Sequence, residues 1–158
     1  ELSWLNWDFG AAAEELLSFV KRLTQLRREH PLFRRRTFFH GRVHTGATKD
    51  IAWLTPEARE ITEDEWRMES VRCMGVFLSG RGLAERDEWG QTVEDDDLVL
   101  LINAQDGQID FTLPGPAPKQ WTALIDTARD EGANGPYQPG DRYPLQGRSL
   151  ALLHSKPE

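Results

Sequence analysis

The chain has 158 residues, 39% of them hydrophobic and 28% charged, with a formal net charge of −7. That profile fits one globular domain, or one domain with a helical appendage, and no run approaches the roughly 18 apolar residues needed to span a bilayer. A single cysteine, Cys73, rules out an internal disulfide, and an acidic body suits neither a nucleic acid nor an anionic membrane.

The chain opens at Glu1 with no basic and apolar leader, and "SWLNWD" places Trp4, Leu5 and Trp7 where a frayed, polar terminus is normal. Residues 11–30 then carry Leu16, Phe19, Val20, Leu23 and Leu26 at spacings of three and four, which predicts an amphipathic helix. Asp8 is a candidate cap or first-turn acid, Glu14 and Glu15 sit near the positive end of the dipole, and Arg27, Arg28 and His30 sit near the negative end. Pro31 stops the helix.

Beyond Pro31 the period shortens. "RRTFFHGRV", "KDIAWLTP", "RCMGVFLSG", "DLVLLINAQ", "QIDFTLPG", "QWTALIDT" and "GRSLALLHS" read as short strands separated by turn residues. Such a series, with no helical pattern between, predicts a mainly β fold, an antiparallel β-sandwich, preceded by one long helix. "TEDEWRM" reads as a charged turn or short helix anchored by Trp66, and residues 81–97 and 127–143 as long exposed loops. The helix stripe has to be covered by something, either the sandwich or a larger domain upstream.

Motifs with chemical potential are few. The arginines of "FRRRTFFHGR" form too short a basic footprint for a nucleic-acid site and read as partners for the acidic body. His40 and His44 lie four apart with Gly41 between them, in a context of strand or turn, so they read as surface residues and not as metal ligands. "EDDD" (94–97) lacks the alternation and glycine of a calcium loop and reads as a solvated turn. Cys73 lies among apolar neighbours as an inert buried thiol. No nucleophile elbow, phosphate loop or dinucleotide fingerprint is present, so the chain by itself holds no catalytic constellation.

Taken in order, "ELSWLNWD", "LLSFVKRLTQLRREHPLFRRRTFFHGR", "KDIAWLTPEAREITEDEW", "DLVLLINAQDGQIDFTLP", "WTALIDTA" and "GRSLALL" resemble the C-terminal end of isoamylase-type glycogen debranching enzymes of the α-amylase superfamily. The resemblance runs over nearly the whole chain. Asn6 stands where such sequences usually have aspartate, and Glu57-Ala58 replaces the Asp-Gly expected after Pro56. The resemblance implies that residues 1–30 end a (β/α)8 barrel, residues 11–30 being its last helix, and that residues 31–158 form the C-terminal β-sandwich. It implies hydrolysis of α-1,6 branch linkages of glycogen or limit dextrin with retention, by carboxylates on barrel strand ends that lie upstream of Glu1. No catalytic residue, metal or cofactor is therefore expected here. Trp4 and Trp7 become candidates for stacking on glucose at the outer rim of the cleft, with packing against the barrel as the alternative for each ring. The implied partners are the missing barrel of the same protein and a branched α-glucan, in the cytoplasm. The rival expectation is a stand-alone glucan-binding module that presents coplanar exposed rings, with Trp89 and Tyr137 as candidates.

Overall fold

The computed structural model describes residues 4, 7, 10–42, 49–83, 85–116, 118–129 and 135–156. Helix α1 spans Ala11–Glu29 and is followed by a 3-10 turn, Pro31–Arg34. Then come β1 (Ile51–Leu54), the short helix α2 (Glu63–Trp66), β2 (Cys73–Leu78), β3 (Asp97–Asn103), β4 (Ile109–Thr112), β5 (Thr122–Asp126), β6 (Arg142–Leu145) and β7 (Ser149–Ser155).

Five strands form an antiparallel sheet in the order β1-β2-β3-β7-β5, and β4 pairs with β6 in a second, two-stranded sheet. The expected mainly β, antiparallel fold with one long helix is what the chain adopts. The central strands β3 and β7 read "DLVLLIN" and "SLALLHS", near-continuous apolar runs and not alternating ones. The reason is that both of their faces are covered. Val99, Leu101, Ala151 and Leu153 point towards the two-stranded sheet and pack with Phe77, Phe111, Leu113, Trp121, Tyr143 and Leu145. Leu98 and Leu152 point the other way, with Ile125, onto Leu32 and Leu83. A bulge between Ala123 and Ile125 lets β5 bend at the sheet edge.

Three polar side chains inside this core find partners, whereas the buried Thr55 and Ser155 hydroxyls have none among the described residues. The Trp121 indole N–H donates to the Pro114 carbonyl at 2.8 Å, and the Tyr143 hydroxyl donates to Asp126 at 2.7 Å. Asn103, 1% exposed, donates to the carbonyls of Gly107, Leu145 and Gln146 and accepts from the Gln105 N–H and the Cys73 thiol. One side chain thereby joins the β3–β4 turn to the β6–β7 turn.

Four expectations need correction. The helix starts at Ala11 with Gly10 as its N-cap, which offers no side-chain bond; Asp8 lies outside the described residues. "RRTFFHGRV" contains no strand among its described residues, 35–42. Instead of pairing with a neighbouring strand, the His40 and Gly41 N–H groups donate to the buried Asp50 carboxylate, each at 2.9 Å. The stretch 127–143 is not all loop, because β6 begins at Arg142 and includes Pro144. Proline is tolerated there because each strand of a two-stranded sheet has an unpaired edge. Within 81–97, Arg86 and Thr92 bridge to close a tight hairpin.

Candidate functional site

Helix α1 carries the predicted stripe but buries none of its residues. Leu16 is 62% exposed, and Phe19, Val20 and Leu23 are exposed with it. Only Leu26, at the C-terminal end, packs partly into the Leu32–Leu98 cluster. Arg22 bonds to the Leu124 carbonyl and so ties the helix to β5. Along β1, Ala52 and Leu54 pack in the inner core, so Trp53 points to the opposite, outer face. There it meets Trp66 edge-on at 5.4 Å, and both rings and Met68 are exposed. α1 and the outer face of the sheet thus leave large apolar side chains uncovered, which marks a contact surface.

The joint between α1 and the sheet is polar and close-fitted. His30, the C-cap of α1, donates through Nδ1 to Asp95 at 2.8 Å. A carboxylate only accepts, so that nitrogen carries the proton. The other oxygen of Asp95 accepts the Leu32 N–H at 2.8 Å, and Asp96 pairs with His154 of β7 at 2.6 Å. Asp97 accepts the Gly80 N–H at 2.7 Å and pairs with Lys119. Gly80 has no alternative, since a Cβ there would collide with the Asp95 and Asp96 carbonyls. "EDDD" is therefore not a solvated turn. Three of its carboxylates are engaged by protein donors: Asp95 fastens the end of the helix to the start of β3, while Asp96 and Asp97 bind β7 and the segments at Gly80 and Lys119. His30 and His154 are correspondingly parts of the joint, their rings 6.2 Å apart. Nothing local signals this pairing, because His30 and Asp95 are 65 residues apart.

On the other side, at the ends of β1 and β2, lies an open cleft of about 230 Å³ lined among others by Arg59, Ile61, Glu65, Arg72, Gln105 and Ile109. Thr62 and Glu65 form a reciprocal cap on α2, a device whose T-x-x-E spacing is visible in the sequence. Hydrogen bonding to Arg59, then to the Thr62 N–H and hydroxyl, lowers the Glu65 carboxyl to about 2. A glycosidase acid needs the opposite shift, a carboxyl raised so that it stays protonated. Glu65 is therefore built as a structural anion. Burial pushes the Cys73 thiol up, and the thiol donates to Asn103, so it is no nucleophile.

Of the substrate-binding candidates, Trp4 is 82% and Trp7 75% exposed; residues 1–3, 5, 6, 8 and 9 lie outside the described residues. His44 also lies outside them. Trp89 is 80% exposed at the tip of the Arg86–Thr92 hairpin. Tyr137 does not join it: its backbone bridges to Trp121 and its ring packs edge-on against Tyr143 at 5.3 Å. The pair of coplanar loop rings is thus reduced to one exposed tryptophan.

The model of the family "Isoamylase, C-terminal" matches residues 50–154, from just before the first strand into the last. The "Glycogen operon protein GlgX homolog" of Mycobacterium tuberculosis, and that of Mycobacterium bovis, are each 38% identical over 157 residues, which is 97% of this chain and 22% of theirs. The "Isoamylase" of a Flavobacterium species is 26% identical over 166 residues, covering 98% of this chain and 20% of that protein. The chain spans about a fifth of the length of the curated relatives it matches. Its antiparallel strands, its matched span and these relatives agree: the chain belongs to the isoamylase C-terminal family.

Proposed function

We propose that this chain is the C-terminal part of a glycogen debranching enzyme that hydrolyses α-1,6 branch linkages in glycogen or limit dextrin with retention, and that it is structural and inactive alone. Residues 1–30 end the catalytic barrel, with α1 as its last helix, and residues 31–158 are the sandwich that backs it. The observation that carries this reading is the uncovered stripe of α1 beside the exposed Trp53, Trp66 and Met68. Fully burying a side chain such as leucine or phenylalanine contributes roughly 1.5–3 kcal/mol, so covering the stripe Leu16, Phe19, Val20 and Leu23, already partly shielded, adds on the order of 4–6 kcal/mol. The His30–Asp95 pair then holds the sandwich at a set angle to the barrel's last helix, with His154–Asp96 bracing β7 beside it. The catalytic carboxylates belong to barrel strand ends, and Trp4 and Trp7 line the outer rim of the cleft or pack on the barrel. The partner is the barrel of the same protein, the substrate a branched glucan, and the compartment the cytoplasm; no described helix is long and apolar enough to cross a membrane.

The test compares the longer protein with a version lacking the sandwich. The expected outcome is a large loss of thermal stability with the preference among branched substrates unchanged in whatever activity survives. Normal melting of the truncated enzyme sinks the reading. The rival, a stand-alone glucan-binding module, is favoured only by Trp89, and it requires the native gene product to have a mass near 18.1 kDa.

A further inference from the structure

We propose that Trp89 is a glucan-contact residue, a preset finger on which one face of a glucose unit of an α-glucan stacks. The proposal rests on the glucan reading above and adds a binding point on the sandwich to it.

The hairpin that carries the ring is braced from within. The Asp87 N–H donates to the Gln91 carbonyl at 2.9 Å and the Gly90 N–H to the Asp87 carbonyl at 3.1 Å. The Asp87 carboxylate accepts the Trp89 N–H at 3.0 Å and the Gln91 N–H at 2.8 Å. The Arg86 guanidinium caps the Gly90 carbonyl at 2.6 Å, and Gly90 takes the positive φ of 78° that the turn requires. The base is anchored as well: the Val93 N–H donates to the Glu85 carbonyl, and the Glu85 carboxylate accepts the Arg36 N–H. These bonds satisfy the tip without using the indole ring, which stays 80% exposed. The backbone that carries the ring is held in advance, so binding has to order only the side-chain torsions of Trp89.

The surroundings select the ligand. The other side chains at the tip are Arg86, Asp87, Glu88 and Gln91, all polar. Protein interfaces are depleted of charge at their centres, so a lone aromatic ringed by charges is a poor seat for a protein partner. A pyranose offers one apolar face to the indole and hydroxyls around its rim to a carboxylate, an amide and a guanidinium. The adjacent Asp87 and Glu88 disfavour phosphates and anionic membranes and leave a neutral polysaccharide unaffected.

The experiment is electrophoresis of the 158-residue chain through gels with and without glycogen, together with NMR of the 15N-labelled tryptophan indoles during titration with maltoheptaose. Glycogen is expected to retard the chain. Trp89→Ala should weaken retention about tenfold, and Trp89→Tyr should keep most of it. The Trp89 indole resonance should move while that of the buried Trp121 stays. Asp87→Ala, which frees the tip, should give intermediate retention. Equal retardation of the Trp89→Ala chain, a Trp89 resonance that does not move, or no retardation of the unaltered chain each overturns the proposal. None of these touches the debranching reading, which is decided separately by hydrolysis in the longer protein.

Discussion

Replacing Asn103 by alanine removes the side chain that joins the two turns at one end of the sandwich. Its amide donates to Gly107 at 2.9 Å, Gln146 at 3.0 Å and Leu145 at 3.3 Å, while its oxygen accepts the Gln105 N–H at 3.0 Å and the Cys73 thiol at 3.2 Å. Each ordinary hydrogen bond contributes about 1 kcal/mol net, and a buried partner left without one costs about 1–3 kcal/mol. Water reaches the exposed Gly107 and Gln105 and recovers part of the loss, but the Leu145 carbonyl and the Cys73 thiol lie in the core. The expected destabilisation is about 3–5 kcal/mol, large beside a typical stability of about 5–15 kcal/mol. In a chain of this size that lowers the melting temperature by roughly 10–15 °C. Urea unfolding followed by circular dichroism reads it directly, with Gln146→Ala as a control that removes only an exposed amide pair with Gln108 and should cost under about 0.5 kcal/mol. A loss below about 1 kcal/mol for Asn103→Ala would show that water remakes these bonds and that the turns are held by packing alone.

Ala58 holds a positive φ of 62° in the turn after β1, a conformation that favours glycine. Ala58→Gly should stabilise the chain by up to about 1 kcal/mol, the relief of left-handed strain less the added entropy of the unfolded glycine; a lowered melting temperature refutes this. Burial, and then the bond to Asp126, raises the Tyr143 hydroxyl well above its ordinary value near 10. Its contribution is therefore whole below pH 10 and is lost as pH rises beyond it, so urea midpoints should fall in alkali and fall less in Tyr143→Phe. In acid the sign reverses. Hydrogen bonding to Arg59 lowers Glu65 to about 2, and Asp50 is held low because N–H donors and the Arg35 charge outweigh the upward push of burial. Stability tied to Glu65 is present above pH 4.5 or so and drains away as pH falls towards 2, and that tied to Asp50 is likewise lost in acid below its ordinary range; Glu65→Gln should flatten the slope. Finally, Leu16→Glu with Leu23→Glu should change the stability of the 158-residue chain by less than about 0.5 kcal/mol, because both are exposed, and should sharply destabilise the longer protein. A large loss in the chain alone would mean that α1 is covered by the sandwich.

The local pattern of residues was enough to determine α1, whose stripe recurs at the helical period, and the two central strands, whose apolar runs are bounded by turns. It also singled out Trp89 as an exposed ring. Three features were decided by the tertiary structure alone. The stretch 35–42 has strand-like composition, but a buried Asp50 captures its N–H groups before any strand can. Tyr137 looks like a loop aromatic and is instead packed against Tyr143, because the Trp121 bridge pulls it inward. The acidic run 94–97 looks solvated, yet it receives His30 and His154 from opposite ends of the chain. Periodicity reports which way successive side chains point along one element. Burial and ion pairing depend on what the rest of the chain brings to that face, and no local window contains that information.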